Sequence, residues 1–153
     1  PDSDETGIVV AGIDHDGFCY VIQDLTMKGK PSAWAKRAVM AYTKFRGSCI
    51  VAEVNNGGDM VEETIRAVLR TAKVKKVRAS RGKVTRAEPV SALVEKGLVR
   101  FCGVFPELEA QLTGWDPTAS RNSPDRLDAF VWAITDLALG EKDTPSPAAY
   151  LML

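Results

Sequence analysis

The hydrophobic pattern along this chain switches between stretches with a period of two and stretches with a helical period. Thr6–Asp14 and Gly17–Leu25 are rich in β-branched and apolar residues and flank Asp14-His15-Asp16-Gly17. An Asp-Gly pair between two such runs predicts an antiparallel hairpin. From Pro31 the pattern changes. Trp34, Ala38, Ala41 or Tyr42, and Phe45 recur at helical spacing, which predicts a helix from Pro31 to about Phe45, ended by Gly47. Cys49–Val54 is a near-continuous apolar run of the kind that forms a buried central strand. Asn55-Asn56-Gly57-Gly58 then reads as a tight strand-to-helix loop. Asp59 is the expected cap of a helix to about Thr71, with Met60, Ile65, Val68 and Leu69 as its apolar residues.

The second half continues the alternation. Val74–Ala79 predicts a short basic strand, Ser80–Lys83 a loop, and Arg86–Lys96 a helix with Gly97 just past its end. Leu98–Val104 predicts a strand, Pro106–Leu112 a short helix, and Gly114–Asn122 a polar loop. Ser123-Pro124 opens the last helix, to about Leu139, whose core stripe is Leu127, Val131, Ile134 and Ala138, broadened by Phe130 and Leu137. Gly140–Pro147 is linker-like and Ala148–Leu153 is a short apolar end. Strands alternating with helices after an N-terminal antiparallel hairpin give an α/β domain with a mixed sheet. Its expected span is residues 4–139, with 140–153 as a C-terminal tail.

Composition adds limits. At 153 residues, 45% apolar and 26% charged, the chain is one globular domain's worth. Its 20 basic and 20 acidic residues cancel, but they are segregated. Pro1–Asp24 holds six acids and no Lys or Arg, whereas Arg66–Arg86 holds nine basic residues and no acid. Such a run suggests a surface for a polyanion. The three cysteines (Cys19, Cys49 and Cys102) are widely spaced, which argues against a zinc site or disulfide framework and suits a reducing cytoplasm. Cys19 and Cys102 read as small core residues. The single histidine, His15, leaves little for a histidine-based metal site or a Ser-His-Asp triad and reads as a solvated turn residue. No apolar run of 18 residues exists, so no membrane span is expected. The opening Pro1-Asp-Ser-Asp-Glu5, without an initiator Met, reads as the start of a fragment.

Two places hold candidate chemistry. Glu53 interrupts an apolar strand at its C-terminal end, where open α/β sheets place their ligands. A Glu there needs a partner or a cation. Asp128 lies on the flank of the last helix's core stripe, while Asp125 lies nearer solvent and also suits the helix dipole. Carboxylates from a strand end and a helix start suit Mg²⁺, which takes oxygen ligands and one or two protein carboxylates. Two such ions can activate a water and stabilise the leaving oxygen in phosphodiester hydrolysis. Lys75, Lys76, Arg78, Arg81, Lys83 and Arg86 would meet nucleic-acid phosphates. Asn55 and Asn56 are turn formers, with Asn55 a further site candidate. Trp34, Trp115 and Trp132 read as packing residues, Trp115 in its polar loop being best placed to stack on a base.

These residues resemble a known family. Val51-Ala-Glu53-Val-Asn55, followed by Gly57-Gly58-Asp59-Met60, looks like the second acidic motif of bacteriophage large terminase nuclease domains. Arg78-Ala-Ser-Arg81-Gly-Lys83 with Arg86-Ala-Glu-Pro89-Val resembles the basic segment that follows it. Ser123-Pro-Asp125-Arg-Leu-Asp128-Ala-Phe-Val-Trp132-Ala resembles the third acidic motif, and Asp4–Val10 the second strand. The resemblance covers about Asp4 to Leu139 and implies a ribonuclease-H-like mixed sheet flanked by helices on both faces. It also implies a phage or prophage enzyme that cuts concatemeric double-stranded DNA during packaging with two Mg²⁺ or Mn²⁺ ions, in the cytoplasm of a bacterial host. The parent protein would engage its own ATPase domain, a small terminase subunit and a portal. Glu53 and Asp128 match metal ligands, and Asp125 stands where some relatives place a histidine or another acid. The family's first strand, ending in its first catalytic aspartate, is expected ahead of Asp4 and is not found in this chain. Asp14 and Asp16 do not replace it, because the hairpin turn puts them at the wrong end of their strand. The other readings are a resolvase- or transposase-type nuclease, and a domain that binds DNA or packaging partners without cutting.

Overall fold

Two apolar strands, Val9–Ile13 and Cys49–Glu53, carry side chains into both faces of the sheet, and the helices are arranged to cover both. The computed structural model describes residues 5–54, 59–116, 125–140 and 150–152. In chain order the elements are β1 (Glu5–Thr6), β2 (Val9–Ile13), β3 (Cys19–Asp24), β4 (Met27–Lys28), α1 (Pro31–Lys44), β5 (Cys49–Glu53), α2 (Asp59–Val68) and β6 (Val74–Val77). Then follow α3 (Lys83–Glu95), β7 (Val99–Phe101), α4 (Pro106–Gly114), α5 (Asp125–Ile134), a π-helical turn (Thr135–Leu139) and β8 (Tyr150–Met152). The six-stranded sheet has the order β6-β5-β8-β2-β3-β7, and β1 pairs with β4 in a separate two-stranded ribbon.

The predicted hairpin is β2–β3, antiparallel as expected, whereas β5–β6 and β3–β7 are parallel. Successive strand residues face opposite sides. Accordingly Val9, Ala11 and Val51 pack with Leu127, Phe130, Val131, Ile134, Val90 and Leu108, which come from α3, α4 and α5. Val10 and Ile50 pack with Ala38, Val39 and Ala41 of α1 and Ile65 of α2. Helices therefore cover both faces of a mixed sheet, as the sequence pattern required.

A one-residue bulge decides how α5 docks. Ala11 faces Val21, but Val10 faces Gln23 and Val9 faces Asp24, so Ile22 is the extra residue. Without it Gln23 would stand opposite Val9. With it Asp24 reaches Arg126 in the first turn of α5, whose Nε donates to Asp24 Oδ2 at 2.9 Å while Nη1 donates to Glu5 Oε2 at 2.8 Å. The side chains of Arg126 and Asp24 are only 15% and 8% exposed. Gln111 of α4 adds a cap, its Oε1 accepting the Leu127 N–H at 3.1 Å. That N–H is one of the groups a helix start leaves unpaired.

Several expectations change in detail. Tyr150–Met152, expected in a tail outside the domain, forms β8 between β5 and β2. Both neighbours are buried strands whose backbone groups need partners on that side, and β8 supplies them. Lys83 is the first residue of α3, not part of the preceding loop, because Gly82 takes the extended cap conformation. Pro89 lies inside this helix, next to its buried residue Val90. Helix α1 ends with Arg46 at φ 51°, so Arg46 and not Gly47 takes the left-handed position, and the Gly47 N–H reaches back to the Tyr42 carbonyl at 2.9 Å. Gly97 does occupy that position after α3, at φ 73°. Met60 is 71% exposed, leaving Ile65 as the buried anchor of α2. Strand β7 stops at Phe101, so Cys102 is exposed, not core. His15 is an exposed turn residue, as expected. The capping roles given to Ser123, Pro124 and the Asp59 side chain, and the roles of Asn55 and Asn56, lie outside the described residues.

Removing Arg126 leaves two acids facing a buried gap. Arg126→Ala is expected to lower unfolding free energy by about 3 kcal/mol, since breaking such a pair strands its partners. Urea unfolding measures this. A loss under about 1 kcal/mol would mean the ion pairs behave as exposed surface contacts.

Candidate active site

Strand β2 runs antiparallel to β8, and β8 runs parallel to β5. The start of β2 and the C-terminal ends of β5 and β6 therefore share one end of the sheet, and α5 begins there too. At this end lies a cavity of about 500 Å³. Four acids (Glu5, Glu53, Asp125 and Asp128) line it together with Lys83 and Trp132, and the small residues Thr6, Gly7 and Ala129 complete the lining. Asp14 and Asp16 are in the β2–β3 turn, at the other end of β2.

The four acids come from three elements. Glu53 ends β5 and is half-buried; its Oε2 accepts the Trp132 indole N–H at 2.7 Å. Asp128, also half-buried, receives the Lys83 ammonium on Oδ2 at 3.0 Å. Asp125 is exposed at the first position of α5, and Glu5 is tied to Arg126. Asp125, Asp128 and Trp132 stand at i, i+3 and i+7, which puts them on one helical face.

Gly7 makes this convergence possible. A Cβ there would lie 2.2 Å from the Asp125 carbonyl oxygen and 3.2 Å from the Ala129 Cβ. Any larger residue would push the start of α5 away from β1 and β2, and with it Asp125 and Asp128.

These oxygen donors suit a hard cation. Glu53 and Asp128 are enough protein carboxylate for one Mg²⁺ or Mn²⁺, whose remaining positions go to water and phosphate. Among the described residues, no group of three or more His, Cys, Asp or Glu could hold a metal ion. Glu53 and Asp128 share the lining of one cavity.

The family model described as a terminase RNaseH-like domain matches residues 1–137. The chain belongs to that family. No curated protein matches it. Membership makes this a terminase nuclease domain with the ribonuclease-H-like fold, in agreement with the mixed sheet and its two helical layers.

In this terminase domain the basic run divides in space. Lys75 and Lys76 are consecutive on edge strand β6, so they face opposite sides of the sheet. Lys75 pairs with Asp136 at 2.5 Å on the α5 side, and Lys76 pairs with Glu62 of α2 at 3.1 Å. They do not build one common surface, and the acids absent from their sequence neighbourhood are supplied by other elements. Arg78 and Arg81 are exposed on the segment leading to the cavity, and Lys83 is inside it. Arg86 is half-buried, its guanidinium 4.8 Å from the centre of the Trp132 ring.

Sequence reasoning assigned Trp132 to packing and missed its bond to Glu53. Its place four residues after Asp128, on the same helix face, was the available signal. Glu5 and Gly7 belong to a strand motif in the sequence, and nothing local announces that they line the cavity. Trp115, partly buried, packs against the core, in line with its reading as a packing residue.

Gly7→Ala is expected to destabilise the domain by about 1–3 kcal/mol, the range for forcing an extra methyl into a filled space. Thermal or urea unfolding measures it. An unchanged midpoint would show that α5 can retreat without cost.

Proposed function

We propose that this domain is a metal-dependent endonuclease that hydrolyses phosphodiester bonds of concatemeric double-stranded DNA during phage packaging. The observation that carries this reading is the convergence of Glu53 and Asp128, from a strand end and a helix start far apart in the chain, on one cavity. Glu53 and Asp128 bind the cation, Mg²⁺ or Mn²⁺. When bound, such an ion makes water acidic enough to attack at neutral pH and stabilises charge on the departing oxygen. Asp125, at the exposed mouth, is an auxiliary ligand or orients the attacking water. Lys83 balances Asp128 and is placed to meet a phosphate oxygen entering the same cavity. Arg78 and Arg81 contact the DNA backbone on the approach. Lys75 and Lys76, each already paired to an acid, play a lesser part. Within the family, the partners are the packaging ATPase of the same polypeptide, a small terminase subunit and a portal, and the work is done in the bacterial cytoplasm. Among the described residues no helix is long and apolar enough to cross a membrane.

One observation favours a second reading, a domain that binds DNA without cutting it: the described residues assemble no three-acid metal group. Nicking of supercoiled plasmid with Mn²⁺ separates the two. The expected result is EDTA-sensitive nicking that falls at least about 100-fold in Glu53→Ala, the loss of roughly 3 kcal/mol of transition-state stabilisation. Arg78→Ala combined with Arg81→Ala should raise the DNA concentration needed without abolishing the cut. No EDTA-sensitive nicking, or equal nicking by Glu53→Ala, would leave the binding reading in its place.

A further inference from the structure

We propose that Trp132 is a positioning residue for Glu53 and that Arg86, stacked on the Trp132 ring, locks it in place. The proposal rests on the reading that Glu53 binds a cation. Three elements meet in this chain of contacts: Arg86 from α3, Trp132 from α5 and Glu53 from β5. The Trp132 Nε1–H donates to Glu53 Oε2 at 2.7 Å, and the Arg86 guanidinium lies 4.8 Å from the Trp132 ring centre.

The chemistry of each group suits the task. A glutamate has three side-chain torsions, and one short bond to an ionised oxygen removes most of that freedom. Indole is a donor only, so it fixes one carboxylate oxygen and cannot itself take a place on a metal. The ring must be held still for this to work. Nε and Nη1 of Arg86 are buried and, among the described residues, meet no hydrogen-bond partner. The π-face of Trp132 is thus the main compensation for that part of the guanidinium, which binds the two side chains together. A cation over the ring also draws electron density from it and strengthens the N–H as a donor to Glu53. Arg86 is in this way committed to the inside of the site, where a DNA phosphate is not needed to explain it.

Outer-shell groups that orient a metal ligand commonly alter metal affinity by about 10–100-fold. The test is calorimetric titration with Mn²⁺ of the wild type, Trp132→Phe, Arg86→Gln and Glu53→Ala, with urea unfolding of each. Trp132→Phe keeps a ring under Arg86 but deletes the donor, and should weaken Mn²⁺ binding by about 10-fold or more. Arg86→Gln should weaken it in the same direction by less. A purely structural role would shift the unfolding midpoint and leave Mn²⁺ affinity as in the wild type, and that result overturns the proposal. Failure of the underlying reading looks different: the wild type does not bind Mn²⁺, or Glu53→Ala binds it equally well. Should Trp132→Phe not fold, ¹⁵N NMR of the wild type decides. The indole N–H resonance that moves in Glu53→Gln should also move on adding Mg²⁺, while those of Trp34 and Trp115 stay. An indole resonance unmoved by saturating Mg²⁺ overturns the proposal.

Discussion

The first turn of α5 has to sit against the start of β2, and most of the site depends on that contact. Gly7 permits the approach because it has no Cβ to meet the Asp125 carbonyl. Arg126 secures it by bridging Glu5 and Asp24, from elements on either side of β2. The bulge at Ile22 is what turns Asp24 toward Arg126. Below this anchor, Leu127, Phe130, Val131 and Ile134 bury the inner face of α5 against the sheet. Once the inner face is fixed, the helical repeat leaves no freedom for Asp125, Asp128 and Trp132. They must look toward the end of β5, where Glu53 waits.

Four acids line one cavity, and like charges held together repel. Side chains from other elements meet Glu5, Asp128 and Glu53. Arg126 serves Glu5, Lys83 serves Asp128, and the Trp132 indole serves Glu53. The same pairing explains the basic run. Lys75 and Lys76 on edge strand β6 answer Asp136 and Glu62 on opposite faces, and charged side chains on an edge strand also discourage sheet-to-sheet association. What reads in sequence as one cationic stripe is, in space, two lysines with partners of their own, an exposed approach at Arg78 and Arg81, and an interior pair at Lys83 and Arg86.

Local chemistry explains what was legible in advance. The hairpin around Asp14–Gly17, the buried β5 and the core stripe of α5 follow from periodicity and turn residues, and the structure keeps all three. Glu53 and Asp128 stood out because each breaks a rule of its own element: an acid in an apolar strand and an acid on a helix's core flank. The start of α3 and the end of α1 were harder to read, because Gly82 caps α3 ahead of the expected start at Arg86 and Arg46 takes the left-handed position expected of Gly47. Two features could not be read at all. The place of β8 depends on which strands lack a neighbour, and the Trp132–Glu53 bond on how two distant elements pack. Neither leaves a mark in a window of residues.

The central claim is that Glu53 and Asp128 hold one cation between them. Crystals soaked in Mn²⁺ and measured at the manganese absorption edge test it without relying on activity. The account predicts an anomalous peak within coordination distance, about 2.0–2.3 Å, of an oxygen of each carboxylate, with Lys83 moved off Asp128. A map with no peak there, or with Mn²⁺ bound at other acids while Lys83 still covers Asp128, would contradict it.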